Sequence, residues 1–175
     1  METPKKRKLN LFFTGFGKFG KVLENPTTFL SRSLRDLLTK DPIDGLELHE
    51  THVITVSIED CDEALAKIYQ RIAEMMVVDE EDTMYLVLHM GVYQGSGKFN
   101  IELQGRNIKH FRIPDERGNK PLDQCIAEGF DISHCIQTRL AVDTLVGRLQ
   151  DKGHNVSKSL SAGEYICNYT YFCSL

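Results

Sequence analysis

The stretch "SAGEYICNYTYFCSL", Ser161 to Leu175, puts Cys167 behind a glycine and a tyrosine and at the head of a polar, aromatic run. These are the residue types of a nucleophile set on a turn between a strand and a helix. A thiol at a helix N-terminus faces the positive end of the helix dipole and free N–H groups, so its pKa falls and more of it is thiolate. A thiolate so placed attacks a carbonyl to give a tetrahedral oxyanion and then a thioester that water cleaves. Such a thiol wants a base beside it. None of the six histidines, His49, His52, His89, His110, His134 and His154, follows it.

A second candidate is "TGFGKFG", Thr14 to Gly20, which satisfies GxGxxG after an apolar run. A dinucleotide site needs a helix to open on those glycines. Here "KVLENP" intervenes, and the next strand closes on "TVS" without the acid that would hold a ribose, so nucleotide binding is not expected. The aromatics offer another use: Phe16 and Phe19, three apart on a loop freed by glycine, could sandwich a small flat ring. They could equally pin the loop to the core.

The elements that must position these groups follow from periodicity. "LNLFFT" from Leu9 is a buried strand, and Asn25 with Pro26 opens a helix whose Leu30, Leu34, Leu37 and Leu38 share a face. Glu47 to Ser57 alternates as one or two strands. Ile58 begins a helix with Leu65, Ile68 and Ile72 on its apolar stripe, and Met84 to Gly91 is a central strand. Gly91 to Gly129 shows no helical period, Ser133 to Gly153 predicts one amphipathic helix, and "HNVSKSLS" is a strand. Alternating strands and helices predict an α/β fold with a largely parallel sheet and helices on both faces, with sites at the carboxyl ends of strands.

The 175 residues suit one domain, from Leu9 to Leu175, after a basic N-terminus, residues 1–8, expected to be disordered. With 41% hydrophobic and 26% charged residues the composition is that of a globular protein, and the net charge of −4 gives nucleic acid no footing. No apolar run approaches the ~20 residues of a membrane span, and no leader-like segment opens the chain, so a cytoplasmic location is expected. The five cysteines, Cys61, Cys125, Cys135, Cys167 and Cys173, have no CxxC spacing, and the histidines no HExxH. Free thiols, with no metal, are expected.

Four stretches together resemble the pyroglutamyl-peptidase I, or pyrrolidone-carboxylate peptidase, family. "TGFGKFG…NP" is similar to its opening TGFxxFG…NP. "HMGVYQGSGKFNIELQGRNIKHFRIPD" is similar to its central segment, with Glu102, Asn107 and "RIPD" at the family spacing, and "AGEYICNYTYF" to its AGxYxCNxxxY motif.

The resemblance implies a single α/β/α sandwich domain with a largely parallel mixed sheet. It implies a cofactor-free cysteine peptidase that removes N-terminal pyroglutamate from peptides, with Cys167 as nucleophile, Glu102 as catalytic acid, and the loop of Phe16 and Phe19 at the lactam. Glu102 is then expected to orient a histidine that activates the thiol and protonates the leaving amine. Two departures stand out. "YQGSGK" replaces the smaller residues and arginine of the family's central segment. The family's histidine lies downstream of the cysteine, so this reading expects the last strand and helix to be missing. His89, near the end of a central strand, is the best substitute within the chain. The alternative is a catalytically inactive relative that binds pyroglutamyl peptides or a protein partner. The oligomeric state is not legible.

Overall fold

The computed structural model describes residues 8–78, 82–93 and 97–175. The basic N-terminus, apart from Lys8, and Gln94 to Ser96 of "YQGSGK" lie outside the described residues. Two compact units divide the chain, Met1–Val92 and Tyr93–Leu175.

In the first unit β1 (Lys8–Phe16) lies between β2 (Leu46–Ile54) and β3 (Thr83–His89), and both pairings are parallel. The central strand is buried from Leu11 to Phe16, which is why it reads as a continuous apolar run. A register shift between Leu11 and Phe12 leaves His49 as the extra residue of β2, and its ring stacks on Phe12 at 5.6 Å. The helices α1 (Pro26–Lys40) and α2 (Ile58–Met76) connect the strands. Side chains alternate along β1, so Phe12 and Gly15 belong to opposite faces. Ile68, Ile72 and Met75 of α2 pack on Phe12, with Tyr85 and Val87 beside them. On the other face Gly15 meets α1, where a Cβ would stand 2.4 Å from the Thr27 carbonyl oxygen. Three layers, helix on sheet on helix, result within this unit.

The close approach at Gly15 changes the expected packing of α1. Its buried residues are Thr27 and Ser31, while Leu37 is half exposed. Asn25 caps the helix by accepting from the Thr27 N–H, as Pro26 at its start suggested. Ser57 is the cap of α2 rather than the end of a strand.

In the second unit β4 (Phe99–Glu102) pairs in parallel with β7 (Val156–Ser159), and β5 (Gln104–Arg106) pairs antiparallel with β6 (Cys135–Gln137). The helix predicted over Ser133 to Gly153 is only half present. Cys135–Gln137 is strand, and α3 runs Val142–Asp151. Val142 and Val146 of α3 pack on Val156, with Ile101, Leu103 and Leu149 around them. The final helix, α4, is Ile166–Ser174. Among the described residues no helix is long and apolar enough to cross a membrane.

Candidate active site

Cys167 is the second residue of α4, whose N-cap is Tyr165. The Tyr165 side chain makes no capping hydrogen bond to this helix. The approach to the helix is nonetheless fixed. Tyr165 packs edge-on against Phe111 at 4.6 Å, and its hydroxyl donates to the Pro114 carbonyl at 3.0 Å. Burial foremost, then the charges of Asp115, Glu116 and Cys167, push the Tyr165 phenol up to about 12, so it stays a neutral donor. Glu164 is held by its neighbours: its carbonyl accepts from the His110 N–H at 3.0 Å, and its carboxylate pairs with Arg106 at 3.3 Å.

The body of α4 rests on the backbone of β5. Asn168, fully buried, accepts from the Arg106 N–H and donates to the Arg106 and Ile108 carbonyls. Gly105 allows this approach, because a Cβ there would sit 2.6 Å from the Cα of Phe172. Tyr171, one turn after Cys167, donates to the Glu102 carbonyl at 2.8 Å.

Glu102 ends β4 directly opposite Ser159, the last residue of β7, and β7 leads through residues 160–165 into α4. Glu102 and Cys167 thus emerge at the same carboxyl end of one parallel strand pair. Burial raises the Glu102 pKa, and a hydrogen bond from the Ser159 side chain works in the opposite direction. Its Oε2 is buried and has no hydrogen-bond partner among the described residues. An enclosed carboxyl with an open oxygen is suited to receive an N–H donor such as an imidazole.

Phe16 and Phe19 belong to the first unit. Phe16 is buried at the end of β1, and its N–H donates to the Thr27 hydroxyl at 2.8 Å while Thr28 donates to its carbonyl at 2.7 Å. Asn25 adds a bond from its amide to the Gly17 carbonyl at 2.9 Å. Phe19 is half-buried and bridges to Val22. The glycine loop is therefore anchored to the start of α1 by side chains, and no helix opens on its glycines.

His89 also lies in the first unit, hydrogen-bonded to Thr14 at 2.7 Å through Nδ1. Burial lowers its pKa to about 4. An imidazole so held is neutral at pH 7 and a poor base for a thiol, since proton transfer is driven best by a pKa near the working pH. Of the other cysteines Cys61 is buried, Cys125 and Cys135 are partly buried, and Cys173 is exposed. All five are free thiols.

Asn168, Tyr171 and Gly105 were not singled out from the sequence. The only local signal was that Asn168 stands at a specified position of the nucleophile motif, whereas Tyr171 falls at an unspecified one.

A pyroglutamyl peptidase family model matches residues 9–175. The chain is 28% identical to the pyrrolidone-carboxylate peptidase of Brevibacillus brevis over 162 residues, covering 93% of this chain and 67% of that one. With the Pyrococcus furiosus pyrrolidone-carboxylate peptidase it shares 26% identity over 95% of this chain and 72% of the other. The crystal structure of pyrrolidone carboxyl peptidase from Fervidobacterium islandicum superposes with a TM-score of 0.78 at 26% identity, over 95% of this chain and 72% of that one. The Thermus thermophilus structure gives 0.75 at 29%, over 94% and 76%. Both share the mixed α/β architecture with its parallel sheet.

Proposed function

The chain belongs to the pyroglutamyl peptidase family, and from that membership we propose that it is a cysteine peptidase releasing pyroglutamate from the N-terminus of cytoplasmic peptides through a thioester on Cys167. The observation that carries the reading is the emergence of Cys167 and Glu102 at one end of the β4–β7 pair, with the thiol in the first turn of α4.

In this mechanism the Cys167 thiolate attacks the carbonyl joining the lactam to the next residue. The N–H groups of the first turn of α4 stabilise the oxyanion. Collapse breaks the C–N bond, the amine leaves with a proton, and the thioester is hydrolysed by water. Glu102 orients and charge-stabilises the histidine that the family resemblance implies, which gives the leaving amine its proton. The lactam is uncharged and offers one N–H and one C=O. A pocket matched to both leaves polar groups unpaired when another residue enters, and a free N-terminal ammonium would be costly to desolvate.

The test is turnover of a pyroglutamyl fluorogenic amide. Cys167→Ser should abolish it and Glu102→Gln should lower it by about 10²–10⁴ if the carboxylate serves acid–base chemistry. Ordinary turnover by Cys167→Ser would end the thiol mechanism. Saturable binding of pyroglutamyl peptides without any turnover would favour the second reading, a binding relative.

A further inference from the structure

In the second unit one side chain joins the helix that carries the thiol to the strand end that carries the carboxylate. Tyr171 follows Cys167 by one helical turn, and its hydroxyl donates to the backbone carbonyl of Glu102 at 2.8 Å. The Thr138 side chain hydrogen-bonds the same hydroxyl. The peptide unit that contains the Glu102 carbonyl also contains the Leu103 N–H, and that group donates to the Ser159 carbonyl at 2.8 Å. Both polar atoms of the peptide after Glu102 are therefore tied, one to α4 and one to β7.

Rotation about ψ of Glu102 must break one of these bonds. The direction in which the Glu102 side chain leaves the backbone is thus set by the position of α4. The carboxyl needs such a hold, because it is directed to a place where Oε2 is buried without a hydrogen-bond partner among the described residues. Left to itself a carboxyl turns toward water. Asn168 cannot substitute, since its bonds go to Arg106 and Ile108, beyond the carboxylate.

We propose that Tyr171 is a positioning residue for the hydrolysis, holding the Glu102 carboxyl in a fixed place relative to Cys167 through the Glu102 carbonyl. The inference rests on the reading of Cys167 as nucleophile and Glu102 as its supporting carboxylate. Only the hydroxyl reaches the carbonyl, so phenylalanine fills the same space without performing the role.

The experiment is Tyr171→Phe, read in two ways. In protein labelled with ¹³C at glutamate carboxyls and assigned with Glu102→Gln, the Glu102 titration midpoint should move down toward the ordinary carboxylate range as the carboxyl reaches water. In turnover of a pyroglutamyl fluorogenic amide, kcat should fall about 10- to 100-fold, the scale of an ångström of misplacement, with KM held within about two-fold. In the Glu102→Gln background the same substitution should cause no further loss, because its route of action is gone. Should Tyr171→Phe fail to fold, Thr138→Val loosens the hydroxyl without removing it and should shift the Glu102 midpoint the same way. An unchanged Glu102 midpoint in the folded variant overturns the inference, as does an equal loss of kcat in both backgrounds. The titration needs no turnover, so a chain that titrates as expected yet cleaves no pyroglutamyl substrate fails the functional reading alone.

Discussion

Asn168 and Arg106 are joined twice: the Asn168 carboxamide accepts from the Arg106 N–H at 2.9 Å and donates to the Arg106 carbonyl at 2.9 Å. A third bond runs to the Ile108 carbonyl at 3.0 Å. The residue next to the candidate nucleophile is therefore the clamp that docks its helix on β5, and the position of the thiol is set by a bond network between residues far apart in sequence.

Asn168→Ala takes the side-chain partner from the Arg106 N–H and the Ile108 carbonyl, while the Arg106 carbonyl keeps its bond from the Ile108 N–H. Each such group costs about 1–3 kcal/mol, so a loss of at least about 2 kcal/mol is expected. Urea unfolding should show a lower midpoint with the slope unchanged. A midpoint within error of the parent would mean that α4 is held by other contacts.

Gly105→Ala and Gly147→Ala should have opposite signs. At Gly105 a Cβ meets the Cα of Phe172 at 2.6 Å, so backbone must shift, at about 1–3 kcal/mol. At Gly147, inside α3, a Cβ meets nothing within 4 Å, and alanine should stabilise by about 0.5–1 kcal/mol. Thermal melts of the two variants decide this.

These positions show where local pattern stops carrying information. The strands and helices of the first unit follow from apolar period and caps, because Asn25 and Ser57 act on residues two or three ahead. The burial of Thr27 and Ser31 in place of Leu37 does not, since it depends on Gly15 in another strand. Cys135–Gln137 carries a spacing that suits a helix, but antiparallel pairing with β5 prevails there. Gly91 to Gly129 has no period because side chains order much of it. Asn107 alone bonds the backbone of Ile126, Ala127, Phe130 and Asp131, and Asp115 accepts from Arg117 and Asn119. In the candidate site Cys167 is legible from a contiguous motif, whereas Glu102 is a lone acid until a family spacing marks it.

Stability should fall on acidification through His89. Its folded pKa, about 4, lies below the ordinary 6.5, so the unfolded chain takes up the proton first. Above 6.5 both states are neutral, and stability is lost as pH falls from 6.5 toward 4. The shift corresponds to at most about 3 kcal/mol, less where solvent screens the ring. His89→Gln should flatten that limb in urea titrations across pH, and an unaltered limb would assign it to other groups.

Glu102 acts with the opposite sense. Burial raises its folded pKa, so the charged form is disfavoured in the folded chain, and stability declines as pH rises from the ordinary carboxylate value through the raised one. Glu102→Gln should therefore be more stable than the parent at pH 7 while being less active. A variant both weaker and less active would place Glu102 among groups that hold the fold.

The central claim is that a pyroglutamyl group passes through a thioester on Cys167, and acid-quenched peptide mapping tests it most directly. After brief incubation with a pyroglutamyl ester, which needs no protonated amine to leave, the Cys167 peptide should carry one added pyroglutamyl group. That adduct should vanish in Cys167→Ser and yield to hydroxylamine. Hydrolysis of the ester at the parental rate by Cys167→Ser, or the adduct on Cys61, Cys125, Cys135 or Cys173 instead, would contradict it.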